Sequence, residues 1–136
     1  MAMYTLTIVT PEEVVFEDEV ISLVAPGSEG YLGVLTDHAP LITALVPGKL
    51  TVKDKRGKES VFSLSGGFLE VSNNVATILA DTVEPREKID VERARQALER
   101  AKERLQTKSQ EIDVARAQAA LSRALNRIKV YEESNP

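Results

Sequence analysis

Few residues in this chain have side chains suited to catalysis. His38 is the single histidine. Placed beside Asp37, with a serine such as Ser28 as nucleophile, it would be the general base of a small hydrolase. Such a triad also needs an identifiable nucleophile and donors for an oxyanion, and the sequence offers no sign of either. A loop histidine that packs and hydrogen-bonds beside Pro40 is the simpler reading. One histidine among scattered carboxylates is likewise a poor metal set. Gly27, Gly30 and Gly33 recur every third residue, but dinucleotide-binding glycines have a different spacing and open a helix. These glycines, and Gly66-Gly67, read as turn geometry that lets backbone approach backbone or a partner.

The arginines carry more information. Arg93, Arg100 and Arg104 fall at i, i+7 and i+11, and Arg116, Arg123 and Arg127 repeat that spacing. On a helix each set shares one face. The first set is interleaved with Glu92, Glu99 and Glu103, so a solvated, neutralised face and an anion-binding face are both open there. From Asp113 to Tyr131 four Lys/Arg stand against one Asp. That second face suits docking to something anionic, either an acidic helix or a phosphate.

The elements that must position these residues change type partway along the chain. Up to about residue 81 the apolar period is two, in short segments such as Tyr4 to Val9, Val20 to Val24, Leu41 to Val46 and Val75 to Leu79. Turn residues divide them, among them Pro47-Gly48, Asp54 to Gly57, Ser65-Gly66-Gly67 and Asn73-Asn74. This pattern predicts an all-β sandwich or barrel, with Asn73-Asn74 taking positive φ in a tight hairpin. Pro85 closes the last strand region, since it cannot donate to a ladder. Asp90 and Asp113 can then each cap a helix. Val91, Ala94, Leu98, Ala101 and Leu105 step 3, 4, 3, 4, and Val114, Ala117, Leu121, Ala124, Ile128 and Tyr131 step likewise.

Two such seams joined by the short polar stretch Thr107 to Gln110 must pack antiparallel. The predicted fold is therefore α+β: an N-terminal all-β sandwich, residues 1–84, followed by a C-terminal antiparallel two-helix hairpin, residues 85–136. Alanine seams bury little area, so the hairpin is expected to be weakly held, as suits a switch.

Composition narrows the function classes. Of 136 residues only 4% are aromatic and none is Trp, and the net charge is −4. This argues against stacked bases or a phosphate-backbone partner, hence no nucleic acid. The absence of cysteine excludes disulfides and thiolate metal sites and is compatible with a reducing compartment. No apolar run is long enough to span a bilayer, and Met1 to Val9 lacks the form of a signal peptide, so membrane association is expected to be indirect. Residues 1–85 carry a net charge of −7 and residues 86–131 one of +5, which suggests two different contact surfaces.

Gly27-Ser28-Glu29-Gly30, Leu32-Gly33, His38-Ala39-Pro40-Leu41, Pro47-Gly48 and Leu64 to Val71 together resemble the signature of the epsilon subunit of bacterial ATP synthases. The likeness covers essentially the whole chain, with several motifs in fixed order. It implies a non-catalytic subunit of the rotating central stalk that couples ring rotation to ATP synthesis. Its sandwich would bind the gamma subunit and the membrane ring of proton-carrying subunits, with Glu29, Tyr31 and His38 in contact roles. Tyr31 departs from members that carry an acidic residue there. Its hairpin would be an inhibitor of ATP hydrolysis: permissive when folded, blocking when extended along gamma. Extended, it would dock its basic second helix, with Arg116, Arg123 and Arg127, on acidic segments of the catalytic and non-catalytic head subunits. The implied location is the cytoplasmic face of the cell membrane, or a thylakoid, as a peripheral protein.

The resemblance is nearest to ATP-binding Bacillus-type members. Ile89-Asp90-Val91-Glu92-Arg93-Ala94 matches their nucleotide-binding segment, which implies ligand contacts from Ile89, Asp90, Arg93 and Ala94. Glu84, Arg100, Arg123 and Arg127 fall where those members place further contacts. ATP, with or without magnesium, is then a regulatory ligand and not a required cofactor. It would hold the hairpin folded through its differential affinity. Asp90 acting only as a cap paired with Arg93 is the simpler alternative at that position. Two rival functions stand beside this one: a small hydrolase using His38, and a free-standing ATP-sensing module indifferent to gamma.

Overall fold

A computed structural model of the chain describes residues 2–106 and 113–133. The chain divides into two compact units at Pro85/Arg86.

The first unit is a nine-stranded β sandwich. Its strands are β1 (Tyr4–Val9), β2 (Val14–Gly27), β3 (Gly30–Val34), β4 (Leu41–Leu45), β5 (Gly48–Asp54), β6 (Glu59–Leu64), β7 (Gly67–Ser72), β8 (Val75–Ala80) and β9 (Val83–Pro85). Hydrogen bonding runs β1-β8-β7-β4-β2-β5-β6-β9, with β3 on β2. The long strand β2 makes this possible. Its first half pairs antiparallel with β1, and its second half with β5 and β3. Period-two burial puts Leu6 and Ile8 of β1, Leu50 and Val52 of β5 and Leu69 of β7 into one core. That alternation is the pleat sorting apolar side chains to a single face.

The turns follow the chemistry of their residues. Asn73 and Asn74 both have positive φ and close the β7–β8 hairpin, as Ser72 opposite Val75 requires. Asp54 accepts hydrogen bonds from the backbone N–H of Arg56 (2.8 Å) and Lys58 (2.9 Å). The Lys58 bond is the main reason its carboxyl lies below the usual carboxylate range. Gly67 has φ 147°, and a Cβ there would run into the carbonyl oxygen of Leu79. Two strands lie where no alternation marked them. Gly27 and Gly30 pair across the Ser28-Glu29 turn as the base of a β2–β3 hairpin. Pro85 ends an edge strand opposite Phe62, a place where a missing N–H is tolerated.

The second unit is helical: a 3-10 turn at Arg86–Lys88, then α1 (Val91–Gln106) and α2 (Val114–Glu133). Arg95, near the start of α1, reaches Glu132, near the end of α2, at 3.4 Å, so the helices run antiparallel. Ala94 and Ala101 are buried on α1, and Ala117 and Ala124 on α2. Two seam positions differ from the heptad reading. Val114 is exposed and Tyr131 is 36% exposed, while Val130 is buried. Val114 is the first residue of its helix, where the seam has only begun. Val130 lies about 100° around the helix from Tyr131, so the end of α2 is covered on a second side. The expected Thr107 to Gln110 turn lies outside the described residues.

Candidate functional site

In the sandwich, Glu29, Tyr31 and His38 line one open groove of about 640 Å³ with Ser28 and the β3 and β4 backbone. Glu29 sits in the tight β2–β3 turn, whose glycines let the strands close. Tyr31 is exposed, and its hydroxyl accepts the backbone N–H of Lys49 at 3.0 Å. That bond ties the end of an exposed ring to the start of β5. His38 follows Asp37, which has φ 58° and donates its N–H to Asn74 Oδ1 at 2.7 Å. The imidazole Nδ1 lies 2.7 Å from the carbonyl oxygen of Ala39, which makes it the N–H donor. No hydrogen bond among the described residues joins His38 to Asp37 or Ser28, and Asp37 does not line the groove that Ser28 and His38 share, so no triad is assembled. No group of three or more metal-ligating side chains occurs among the described residues.

A second feature of the sandwich was not singled out from the sequence. Ala44, Phe68 and Leu79 stand opposite one another across β4, β7 and β8. Phe68 is 56% exposed, Leu79 53% and nearby Ile42 73%. Pro47, Gly66 and Gly67 lie along the same concave, mostly apolar surface. The signal was present: in Phe68-Leu69 and Ile78-Leu79 two large apolar residues follow each other in a strand. The pleat must then send one of each pair outward. Exposed apolar surface of this kind marks a contact site.

In the hairpin, Asp90 begins α1 as its cap. Its Oδ1 accepts the N–H of Arg93 at 3.0 Å, and its carbonyl accepts that of Ala94 at 3.0 Å. Asp113 does the same for α2, toward Arg116 at 3.1 Å and Ala117 at 3.1 Å. Ile89 is buried just ahead of α1, and Ala94 is buried in its first turn. Arg93, Arg100 and Arg104 lie about 100° from the α1 seam, and Arg116, Arg123 and Arg127 lie about 100° from the α2 seam in the same rotational sense. Reversing the direction of one helix puts equal senses on the same side, so all six arginines share one side of the hairpin.

Several ion pairs lie on the opposite side. Arg95 pairs with Glu132 and Glu92, Lys102 with Glu99, and Lys129 with Glu133. Glu92, Glu99 and Glu103 project roughly opposite the seam of α1. Among the described residues, no ion pair involves Arg93, Arg100, Arg104, Arg116 or Arg123. Arg93, Arg100, Arg104 and Arg116 are exposed, while Arg123 and Arg127 are half-buried. Guanidinium groups so placed present forked donors that match phosphate or carboxylate. Glu84 belongs to the first unit, half-buried on β9 opposite Ser63.

Comparison with known proteins agrees with this two-part build. Residues 3–86 match the β-sandwich domain of the ATP synthase delta/epsilon chain, and residues 87–132 match its long α-helix domain. The chain is 52% identical over 134 residues to an ATP synthase epsilon chain of Protochlamydia amoebophila, covering 98% of this chain and 91% of that one. It is 53% identical over 105 residues to that of Moorella thermoacetica, covering 77% and 78%. Among solved structures, it superposes on a chain of the Euglena gracilis mitochondrial ATP synthase (OSCP/F1/c-ring) with TM-score 0.83 and 28% identity. That match covers 98% of this chain and 81% of the other. No helix among the described residues is long and apolar enough to cross a membrane. The chain therefore belongs to the ATP synthase epsilon-chain family, as a non-catalytic subunit of the central stalk of that rotary complex.

Proposed function

We propose that the sandwich fixes the chain in the stalk and that the hairpin regulates ATP hydrolysis. The apolar face around Phe68, Leu79 and Ile42 suits the gamma subunit. The groove with Glu29, Tyr31 and His38 suits the membrane ring of proton-carrying subunits, so that the chain helps couple proton transport to ATP synthesis. The protein then sits at the cytoplasmic side of the membrane through its partners alone. The hairpin, opened, lays Arg116, Arg123 and Arg127 on acidic segments of the catalytic and non-catalytic head subunits and blocks hydrolysis. Folded, it binds ATP through Arg93, Arg100, Arg123 and Arg127, with Ile89, Asp90 and Ala94 as further contacts.

The observation that carries this reading is the division of charge on the hairpin. One side is laced with ion pairs, and the other bears six arginines. Only four seam alanines and Val130 are buried in its helices, so the guanidinium rows meet on one anion only while a weak seam stays closed. ATP would favour that closed state by its affinity difference between the two. Calorimetric titration of ATP, with and without magnesium, into the full chain tests this. Saturable one-to-one binding is expected, abolished by Arg93→Ala with Arg123→Ala. An absence of heat at millimolar ATP would remove the nucleotide role and leave the arginines as docking residues.

A further inference from the structure

The sequence that opens α1 recurs at the start of α2. Ile89-Asp90-Val91-Glu92-Arg93-Ala94 is repeated as Ile112-Asp113-Val114-Ala115-Arg116-Ala117. At the same offset Leu98 recurs as Leu121, Arg100 as Arg123 and Arg104 as Arg127. The local structures repeat as well. Each aspartate caps its helix with bonds of matching length to the arginine and alanine N–H groups, and Ala94 and Ala117 are both buried.

Antiparallel packing turns this repeat into a pseudo-two-fold symmetry. The rotation exchanges Arg93 with Arg116, Arg104 with Arg127, and Arg100 with Arg123. The arginine side therefore has two like ends. Arg93 and Arg127 stand at one, Arg104 and Arg116 at the other, and Arg100 and Arg123 lie between. The nucleotide position described above uses the first end and the middle pair. The second end has the same guanidinium chemistry and the same capping aspartate, and its Arg104 and Arg116 are exposed and outside the ion pairs among the described residues.

We propose that the hairpin has a second polyphosphate position, formed by Arg104 and Arg116 with Arg100 and Arg123, in which Asp113 stands where Asp90 stands in the first. The ligand class is a nucleoside polyphosphate, and the assignment rests on the nucleotide reading of the first end. Both positions need the middle pair, and two triphosphates side by side would repel. The hairpin thus takes one polyphosphate at a time, in either of two opposed orientations. A stoichiometry of one conceals two positions.

The test is an ATP titration of the full-length chain followed through the backbone amides of Ala94 and Ala117. It compares wild type, the first-end variant Arg93→Ala/Arg127→Ala, the second-end variant Arg104→Ala/Arg116→Ala, and all four substitutions together. Two like, mutually exclusive positions predict that losing either end weakens affinity about twofold and moves the response to the remaining alanine. Losing both removes binding. A second-end variant that binds as wild type, with Ala117 silent throughout, overturns the second position and leaves the first intact. Silence of both amides toward ATP overturns the nucleotide reading. Inorganic tripolyphosphate, titrated in the same way, then decides the second position alone: a response at Ala117 keeps it and silence removes it. If the alanine variant loses its helical signal, Arg104→Lys/Arg116→Lys replaces it, since lysine keeps the charge and loses the fork. A response shifted toward Ala94 is expected there, and an unchanged Ala117 response overturns the proposal.

Discussion

Leu69 in the sandwich and Ala101 in the hairpin are sealed from solvent to nearly the same degree, at 0% and 2% exposure, yet they hold very different amounts of structure in place. A buried leucine contributes roughly 1.5–3 kcal/mol, whereas an alanine methyl contributes about 0.8 kcal/mol. The sandwich core also draws on strands far apart in sequence, with β1 against β8 and β4 against β7, so it fails as a whole or not at all. The hairpin core is one seam between two sequence neighbours. Burial fraction alone would rank the two units equal. Buried volume and connectivity rank them far apart, with the hairpin the weaker unit.

The largest effect that can break this comparison comes from leucine truncation in both units. Leu69→Ala should lower the stability of the sandwich by about 3 kcal/mol, read as a drop in denaturant midpoint with unchanged slope. Leu98→Ala removes a half-buried side chain from the hairpin and should cost only about 1 kcal/mol. It should nonetheless leave α1 and α2 amides exchanging with solvent almost without protection while strand amides are unaffected. Equal protection of helices and strands in the wild type would remove the basis for calling the hairpin the weaker unit.

A smaller effect tests the sandwich from its rim. Tyr4 is buried and donates its hydroxyl to the carbonyl oxygen of Val34 at 2.6 Å. Burial pushes its phenol well above the ordinary value of about 10, more than a hydrogen bond with the Leu23 backbone lowers it. The folded state therefore holds this proton more tightly than the unfolded chain. The associated stability is fully present below pH 10 and is lost as pH rises beyond it, by at most about 1.4 kcal/mol per pH unit. Thermal midpoints measured at pH 8 and pH 11 should differ in the wild type. Tyr4→Phe should lower the midpoint at pH 8 and flatten the difference. A wild-type midpoint unmoved at pH 11 would show that the phenol ionises without leaving its place.

How much of this was legible beforehand depended on range. Period-two strands, the Asn73-Asn74 turn, both caps and the antiparallel seams are local patterns, and the sequence carried them. β3 and β9 were not marked, because five residues rich in glycine and three ending in proline offer no alternation. Their pairing is decided by neighbours distant in the chain. The apolar face around Phe68 escaped notice because its register across β4, β7 and β8 exists only after the strands pair. At the end of α2 the heptad count favoured Tyr131 where Val130 is buried, since a seam with one partner cannot anticipate cover from a second side. Spacing alone placed the arginines in two like rows. That the rows share one side of the hairpin followed only from the antiparallel packing.

The smallest effect bears on the likeness of the two helix starts. An N-cap replaced by alanine costs about 1 kcal/mol, because an N–H in the first helical turn loses its acceptor. Asp90 and Asp113 bond their third residues at 3.0 and 3.1 Å, so Asp90→Ala and Asp113→Ala should destabilise the hairpin by the same amount, read in the exchange rates of Ala94 and Ala117. The two costs should also add, since the caps belong to separate helices and share no partner. Equal losses would mean that the repeat extends from sequence to energetics, so any difference in anion binding between the two ends must come from the arginines. If Asp113→Ala were silent and Asp90→Ala costly, the second helix start would be a copy in form only, and the pseudo-two-fold symmetry would carry no energetic weight at the end where the second polyphosphate position is placed.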